Sequence, residues 1–107
     1  MKKEYELYFI VKAHLDKDIY ETISDNVKSW VKKEKGEVLF FENEGVKSLA
    51  TLIKKQDKGV YMLCQFSLET KGLKEIEHRL RVDENIMRFI IVSLDSVKPK
   101  FKQETEA

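Results

Sequence analysis

The amino-acid sequence predicts an α+β domain in which one four-stranded antiparallel sheet carries two helices on the same face. Four segments have the composition of strands, two segments have apolar residues at helical spacing, and together they follow the order β-α-β-β-α-β. Right-handed crossover connections convert this order into a split-βαβ, or ferredoxin-like, sandwich. The other face of the sheet is left open, and the fold alone does not define a function.

The first strand and the first helix follow directly from composition and spacing. "YELYFIVK" is rich in aromatic and β-branched residues, which is typical of a strand. The following segment, residues 15–36, predicts a helix that ends at Gly36 in a left-handed conformation. Its apolar stripe, which predicts an inward-facing tryptophan, consists of Leu15, Ile19, Ile23, Val27, Trp30 and Val31.

The second and third strands are predicted to form a hairpin. "EVLFFE" begins the second strand, which we expect to continue through a bend at Gly45 into "VKSLATLI". "KQDKG" has turn chemistry, and "VYMLCQFSL" is the third strand. Between Glu44 and Tyr61, lysines and apolar residues occur on both parities of the extended chain. This pattern predicts a partner on the side that the core does not cover.

The last two elements are a second helix and a fourth strand. "TKGLKEIEHRLRVD" predicts the helix, with Thr70 as its cap. "IMRFIIVSL" is a nearly continuous apolar run, typical of a strand near the middle of a sheet. The segment "VKPKFKQETEA" that follows has little to bury. We therefore expect one domain over residues 1–96 and a flexible C-terminal tail over residues 97–107.

The composition indicates a folded cytoplasmic protein without a membrane span. The chain has 107 residues, 42% hydrophobic and 36% charged, with a net charge of +1. Its one cysteine, Cys64, excludes an internal disulfide and fits a reducing compartment. Glutamates interrupt the N-terminal apolar segment, so we expect no signal peptide, and no apolar run approaches the roughly 20 residues of a membrane span.

Motifs for catalysis and for metal or cofactor binding are weak in this sequence. The four glycines are scattered singly, which argues against a phosphate-binding loop. His14 and His78 have no Cys or His at metal-ligand spacing, and Cys64 falls mid-strand, as expected for a buried inert thiol. An acylphosphatase-like enzyme would need an arginine-bearing, glycine-rich loop where this chain has "KAHLDKD". We expect no enzyme, metal, cofactor or small-molecule substrate.

A base-stacking RNA-recognition module is one alternative, because it shares this order of elements. Lys58 and Gly59 fit the motif of its third strand, but Val60, Met62 and Gln65 stand where stacking aromatics should be. A free-standing ferredoxin-like domain that binds a ligand and dimerises through its sheet edges is a second alternative.

Several segments together resemble the bacterial small-subunit ribosomal protein six family. "YELYFIV" is similar to its first strand, "GVKSLATLIKK" to its Gly-basic-basic-x-Leu-Ala-Tyr-Pro-Ile stretch, and "IEHRLRVDENIMRFIIV" to its second helix and last strand. The likeness covers residues 3 to about 95. The sequence departs from the family pattern at Glu44, which replaces a tryptophan, and at Val46, Thr51 and Leu52.

The resemblance implies a structural component of the small ribosomal subunit. Such a protein would bind the central, or platform, domain of small-subunit rRNA as a heterodimer with small-subunit ribosomal protein eighteen. Family positions and local charge predict RNA contacts from Lys3, Tyr5, Lys47, Lys54, Lys55, Arg81 and Arg88. The long second strand and the tail would contact the partner protein through Leu49, Ala50, Ile53, Lys98 and Phe101.

Some of these residues have a second interpretation that the sequence leaves open. Tyr5 could pack within the sheet, and Lys47 could be a free surface lysine. Arg88 could pair with Glu6 or Glu42 across the sheet. The lysines at positions 54 and 55 could serve solubility alone.

Overall fold

The computed structural model describes residues 2–53 and 56–94, and it confirms the predicted fold class. The side chains of residues 50–53 are outside this description. The strands pair antiparallel in the sheet order β2-β3-β1-β4. In chain order the elements are β1 (Lys2–Lys12), α1 (Lys17–Lys33), β2 (Glu37–Ile53), β3 (Gln56–Glu69), α2 (Thr70–Val82) and β4 (Ile86–Ser93).

The core lies between the two helices and the two central strands. β1 and β3 pair along their lengths, from Lys2 opposite Glu69 to Lys12 opposite Gly59. Alternate residues of each strand point toward the helices, as the pleat requires. The sheet contributes Tyr5, Leu7, Phe9, Val11, Val60, Met62, Cys64, Phe66 and Leu68 to the core, and the helices contribute Ile23, Val27, Val31, Ile76 and Leu80.

β4 lies at an edge of the sheet, so its predicted place near the middle was wrong. The split-βαβ connection puts β1 and β3 in the centre and leaves β2 and β4 outside. The apolar run of β4 is therefore only half covered: Met87 is buried, while Ile90 is 58% exposed. An apolar run indicates burial on both faces only where the topology supplies a cover for each face.

Gly36 does not take the left-handed conformation that the sequence predicted; Lys35 takes it instead, with a φ of 66°. The Gly36 N–H donates to the carbonyl of Val31 at 2.8 Å, and the Lys35 N–H donates to that of Lys32 at 2.9 Å. These two bonds form a Schellman motif that ends α1. A Cβ on Gly36 would lie 2.5 Å from the Ser67 carbonyl oxygen of β3, so this glycine serves a close approach of two backbones.

Two other predicted details also differ in the structure. Thr70 is the first residue of α2 and not its cap, because Glu69 holds the N-cap position without a side-chain bond. Of the predicted turn "KQDKG", residues 56–59 belong to β3 instead, and Ser48 pairs with Lys58. The predicted bend at Gly45 is confirmed by its φ of 89° and by a register shift beside it. The predicted tail lies outside the described residues.

Candidate protein and RNA interface

One face of the sheet is free of helices, and we call it the open face. Cross-strand partners in an antiparallel sheet share a face, so the pairing register defines which residues belong to it. On the central strands they include Glu4, Glu6, Tyr8, Ile10, Lys12, Gly59, Tyr61, Leu63, Gln65 and Ser67, and on the edge strands they include Phe40, Glu42, Lys47, Arg88, Ile90 and Val92.

A shallow groove of about 590 Å³ runs along the open face. Apolar and aromatic side chains line most of it, and charged groups from the two edge strands reach over it. Lys47 lies at the β2 side, where its Nζ is 3.2 Å from Glu44 Oε1 and 5.2 Å from the centre of the Tyr61 ring. The complete lining is Tyr8, Ile10, Glu44, Lys47, Tyr61, Arg88, Phe89 and Ile90.

Glu6 is the one buried charged side chain of the described residues, with 5% of its surface exposed. Gln65 Nε2 donates a hydrogen bond of 2.9 Å to Glu6 Oε2. The other oxygen, Oε1, is buried and has no hydrogen-bond partner among the described residues. A buried acceptor without a donor costs free energy, so this position favours a group that could donate to it.

The local field on the open face is negative around Tyr8. Burial raises the pKa of the Tyr8 phenol, and the carboxylates of Glu6, Glu44 and Glu42 raise that pKa further. A negative field of this kind disfavours additional negative charge, which includes the phenolate and also a phosphate group.

The residues predicted to contact RNA lie in several places. Lys3 is exposed on β1, whereas Tyr5 is buried, with its hydroxyl 3.1 Å from Thr70 Oγ1 and its ring 5.7 Å from that of Phe66. Tyr5 is therefore packed within the domain, which favours the packing alternative, and the phosphate or sugar contact predicted for it stays a prediction. Lys47 is half exposed.

The two predicted arginines are exposed but lie on different parts of the surface. Arg88 lines the groove of the open face, and it forms none of the ion pairs described, so the predicted bridge to Glu6 or Glu42 is not formed. Arg81 lies on α2, with its guanidinium 5.9 Å from the centre of the Phe89 ring. The structure therefore does not bring all the predicted RNA-binding residues together.

Most of the residues predicted to bind the partner protein lie where the structure describes no side chains. Leu49 is partly buried on β2. Ala50 and Ile53 belong to the same strand, but their side chains are not described. Lys98 and Phe101 lie outside the described residues, as do Lys54 and Lys55, which were predicted to contact RNA.

Sequence reasoning missed the aromatic residues of the open face because it compared the wrong parity with the RNA-recognition motif. Of the three positions tested, Val60 and Met62 point into the core, and Gln65 lies on the open face. The tyrosines that face the groove are Tyr8 and Tyr61. The alternation in "YELYFIV" was the signal, since it puts Tyr8 on the face opposite Leu7.

Cys64 is fully buried, and burial raises the pKa of its thiol to about 12. A thiol that stays protonated is a poor nucleophile and a poor metal ligand, as predicted from its mid-strand position. In the described part of the chain, no cluster of three or more His, Cys, Asp or Glu side chains could hold a metal ion. None of the helices described is long and apolar enough to cross a membrane.

Comparison with known proteins identifies the family. The family described as ribosomal protein S6 matches residues 4–93. The chain is 30% identical over 105 residues to small ribosomal subunit protein bS6 of Syntrophobacter fumaroxidans, covering 98% of this chain and 69% of that protein. It is 36% identical over 90 residues to small ribosomal subunit protein bS6 of Clostridioides difficile, covering 84% of this chain and 97% of that protein.

Solved structures show the same fold. The crystal structure of 30S ribosomal protein S6 from Thermotoga maritima superimposes with a TM-score of 0.85 at 24% identity, covering 98% of this chain and 99% of that one. The C-terminal domain of the MgtC protein from Mycobacterium tuberculosis has a TM-score of 0.61 at 6% identity, covering 85% and 86% of the two chains.

Fold and open face define a ferredoxin-like α+β domain with one side of its sheet available for docking. The chain belongs to the ribosomal protein S6 family. Its relatives are structural proteins of the small ribosomal subunit, so the predictions of a ribosomal location and of no catalytic activity are confirmed.

Proposed function

We propose that this protein binds the platform domain of small-subunit rRNA as a heterodimer with small-subunit ribosomal protein eighteen. The observation that carries the proposal is the family match over residues 4–93. The function is positional: the protein fixes RNA and partner in one arrangement and performs no chemical step.

The charge of the chain supports a shared binding event. Affinity for a polyanion depends on the number of phosphates that cations neutralise, and this chain has 20 Lys and Arg against 19 Asp and Glu. A basic partner would add the cations that this protein lacks. Joining the two proteins also raises the effective concentration of each at the RNA.

On this chain, the described residues that would contact phosphates are Lys3, Lys47, Arg81 and Arg88. All four side chains are exposed. They occur on β1, β2, α2 and β4, so RNA contacts would come from several edges of the domain and not from one basic patch. The partner would lie along β2 and contact the tail, as the family resemblance implies.

The test is a gel-shift titration on a platform fragment of small-subunit rRNA, with and without the partner. The isolated protein should bind weakly, and the heterodimer should bind at least ten-fold more tightly. In the full chain, Lys98→Glu and Phe101→Ala should weaken the affinity for the partner without changing the melting temperature. Tight, specific RNA binding by the isolated protein, unchanged by the partner, contradicts the proposal.

Base stacking on the open face is a second candidate function, because Tyr8 and Tyr61 line the same groove as Lys47 and Arg88. Aromatic side chains on an open sheet are the platform that RNA-recognition modules use. Lys47 already lies over the Tyr61 ring, however, and the carboxylates around Tyr8 disfavour nucleic acid.

A further inference from the structure

We propose that the open face is a docking surface for a segment of a partner protein, and that Glu6 takes an arginine side chain of that segment. The inference deepens the proposed function, on which it rests for the existence of a basic partner. It assigns the centre of the open face, around Glu6 and Tyr8, to protein, and it leaves Lys47 and Arg88 on the two edge strands for the RNA.

Glu6 carries the argument because its polar atoms are only half satisfied. Oε2 accepts from Gln65 at 2.9 Å, while Oε1 is buried without a donor among the described residues. None of the ion pairs described includes Glu6. A guanidinium group supplies several N–H donors and a full positive charge, and both match a carboxylate oxygen in this situation.

The surroundings of Glu6 favour a protein segment as the carrier of that cation. Across the sheet, the row through Glu6 runs from Phe40 through Gln65 to Val92. In the adjacent row, Ile90 is 58% exposed, and Phe40 itself is 46% exposed. Large exposed apolar side chains beside a buried charge resemble the centre of a protein interface, where apolar contacts exclude water from an arginine anchor.

Charge complementarity decides between protein and nucleic acid. Lys47 is paired with Glu44, and in the three cross-strand rows through Glu6, Tyr8 and Ile10 the other charged side chains are Glu6, Glu42 and Arg88. The three carboxylates also oppose ionisation of Tyr8, which reports the same negative field. Phosphates approaching the centre of this face, around Glu6 and Tyr8, meet repulsion, whereas a basic segment meets attraction there.

The experiment is an NMR titration of the full chain with the acetylated, amidated tripeptide Leu-Arg-Leu. The side-chain amide of Gln65 and the ring of Tyr8 should shift in a saturable way. The same peptide with citrulline in place of arginine keeps the shape without the charge, and it should bind at least ten-fold more weakly. This comparison uses the unmodified protein, so it does not depend on the folding of any variant.

Two variants locate the binding site. Glu6→Gln should weaken binding of the arginine peptide at least ten-fold, whereas Glu42→Gln, an exposed control on the same face, should change it less than about three-fold. Equal binding of the arginine and citrulline peptides, or unchanged binding by Glu6→Gln, overturns the proposal.

Two further arms exclude other occupants. A hexauridylate that shifts Tyr8 and Tyr61 more strongly than the peptide does would assign the face to RNA bases and overturn the proposal. A full-chain variant with Lys98, Lys100 and Lys102 changed to Gln should bind the peptide as the unmodified chain does. A ten-fold gain in peptide affinity would identify the chain's own tail as the occupant, which also overturns it. None of these arms involves rRNA, so their failure is distinguishable from failure of the proposed function.

Discussion

Single side chains on the two faces of the sheet have opposite physical tasks. On the helix face, Cys64 is enclosed by apolar neighbours and its thiol is kept neutral. On the open face, Glu6 is buried with one oxygen left without a donor among the described residues. Cys64 contributes to packing of the core, whereas this oxygen of Glu6 is suited to accept a hydrogen bond from a docked molecule.

Cys64 should resist thiol reagents in the native protein. At pH 8 its thiolate fraction is very small, because burial raises the pKa to about 12, and only the thiolate attacks such reagents. Labelling by a chromogenic disulfide reagent should therefore follow global unfolding and accelerate with added urea. Rapid stoichiometric labelling in buffer alone would show that the thiol is accessible.

The same residue should make stability depend on alkaline pH. The folded pKa lies above the ordinary value of 9.0, so the stabilisation is complete below about pH 9 and is lost as the pH rises toward 12. Cys64→Ala should remove this contribution to the pH dependence of the free energy of unfolding and leave the contributions of other groups. Urea midpoints for both proteins between pH 8 and 11 measure the difference, and parallel curves would contradict it.

Sequence reasoning succeeded for core residues and was less successful for the interface. Strand alternation places Leu7 and Phe9 in the core with no knowledge of the fold. Tyr5 matched a family motif, yet the structure buries it. The half-satisfied carboxylate of Glu6 could not be found from the sequence, because Gln65, the donor to its other oxygen, lies 59 residues away in the chain.

At the level of elements, the sequence predicted which helices and strands form and in what order. It did not predict where the helices end or which strands lie at the edge of the sheet. The amphipathic spacing defined α1, and the apolar run defined β4. The position of β4 at the sheet edge depends on which strands pair, and no local pattern records that. The end of α1 depends on how closely Gly36 approaches β3.

The end of α1 offers a stabilising substitution. Lys35 has a left-handed backbone, with a φ of 66°, in a Schellman motif where glycine is usual. Lys35→Gly should raise the free energy of unfolding by about 0.5–1 kcal/mol, because glycine adopts this conformation without a steric penalty. Glu21→Gly, at an exposed position inside the helix, is the control and should lower stability by about 0.5–1 kcal/mol. Urea denaturation of both variants distinguishes the two effects.

Trp30 tests how the first helix packs. Its side chain is partly buried against the core, as the apolar stripe predicted. Truncating a fully buried aromatic residue to alanine lowers the free energy of unfolding by about 3–5 kcal/mol. Because Trp30 is only partly buried, we expect a loss of about 2 kcal/mol for Trp30→Ala. Val82→Ala on α2 is the control, since Val82 is 61% exposed and its truncation should cost less than about 0.5 kcal/mol. Equal effects of the two substitutions in chemical denaturation would contradict this packing.

At the scale of the whole molecule, a nearly neutral domain must bind a polyanion through a few separated cations. The exposed candidates on the described surface occur on four different elements, and the carboxylates of Glu6, Glu42 and Glu44 lie around Tyr8 on the open face between them. This distribution suits a protein held between RNA and a second protein better than one that binds RNA alone.

The salt dependence of RNA binding measures how many phosphates this chain contacts within the heterodimer. Each phosphate contact contributes a slope of roughly 0.9 in a plot of log affinity against log salt for a duplex, and roughly 0.7 for a single strand. Lys47→Glu should therefore lower the salt-dependence slope of RNA binding by the heterodimer by roughly 0.7–0.9, the value of one phosphate contact, and it should weaken binding at low salt. The charge change lies on a half-exposed side chain, so the melting temperature should stay nearly constant. Lys71→Glu is the matched control, because Lys71 is 87% exposed at the start of α2 and is not among the predicted contacts. Filter binding of both variants between 50 and 300 mM salt (roughly the range where such slopes are linear) makes the comparison. If Lys47→Glu leaves both slope and affinity as they are in the unmodified heterodimer, then Lys47 does not touch the RNA and its role is confined to Glu44 and Tyr61.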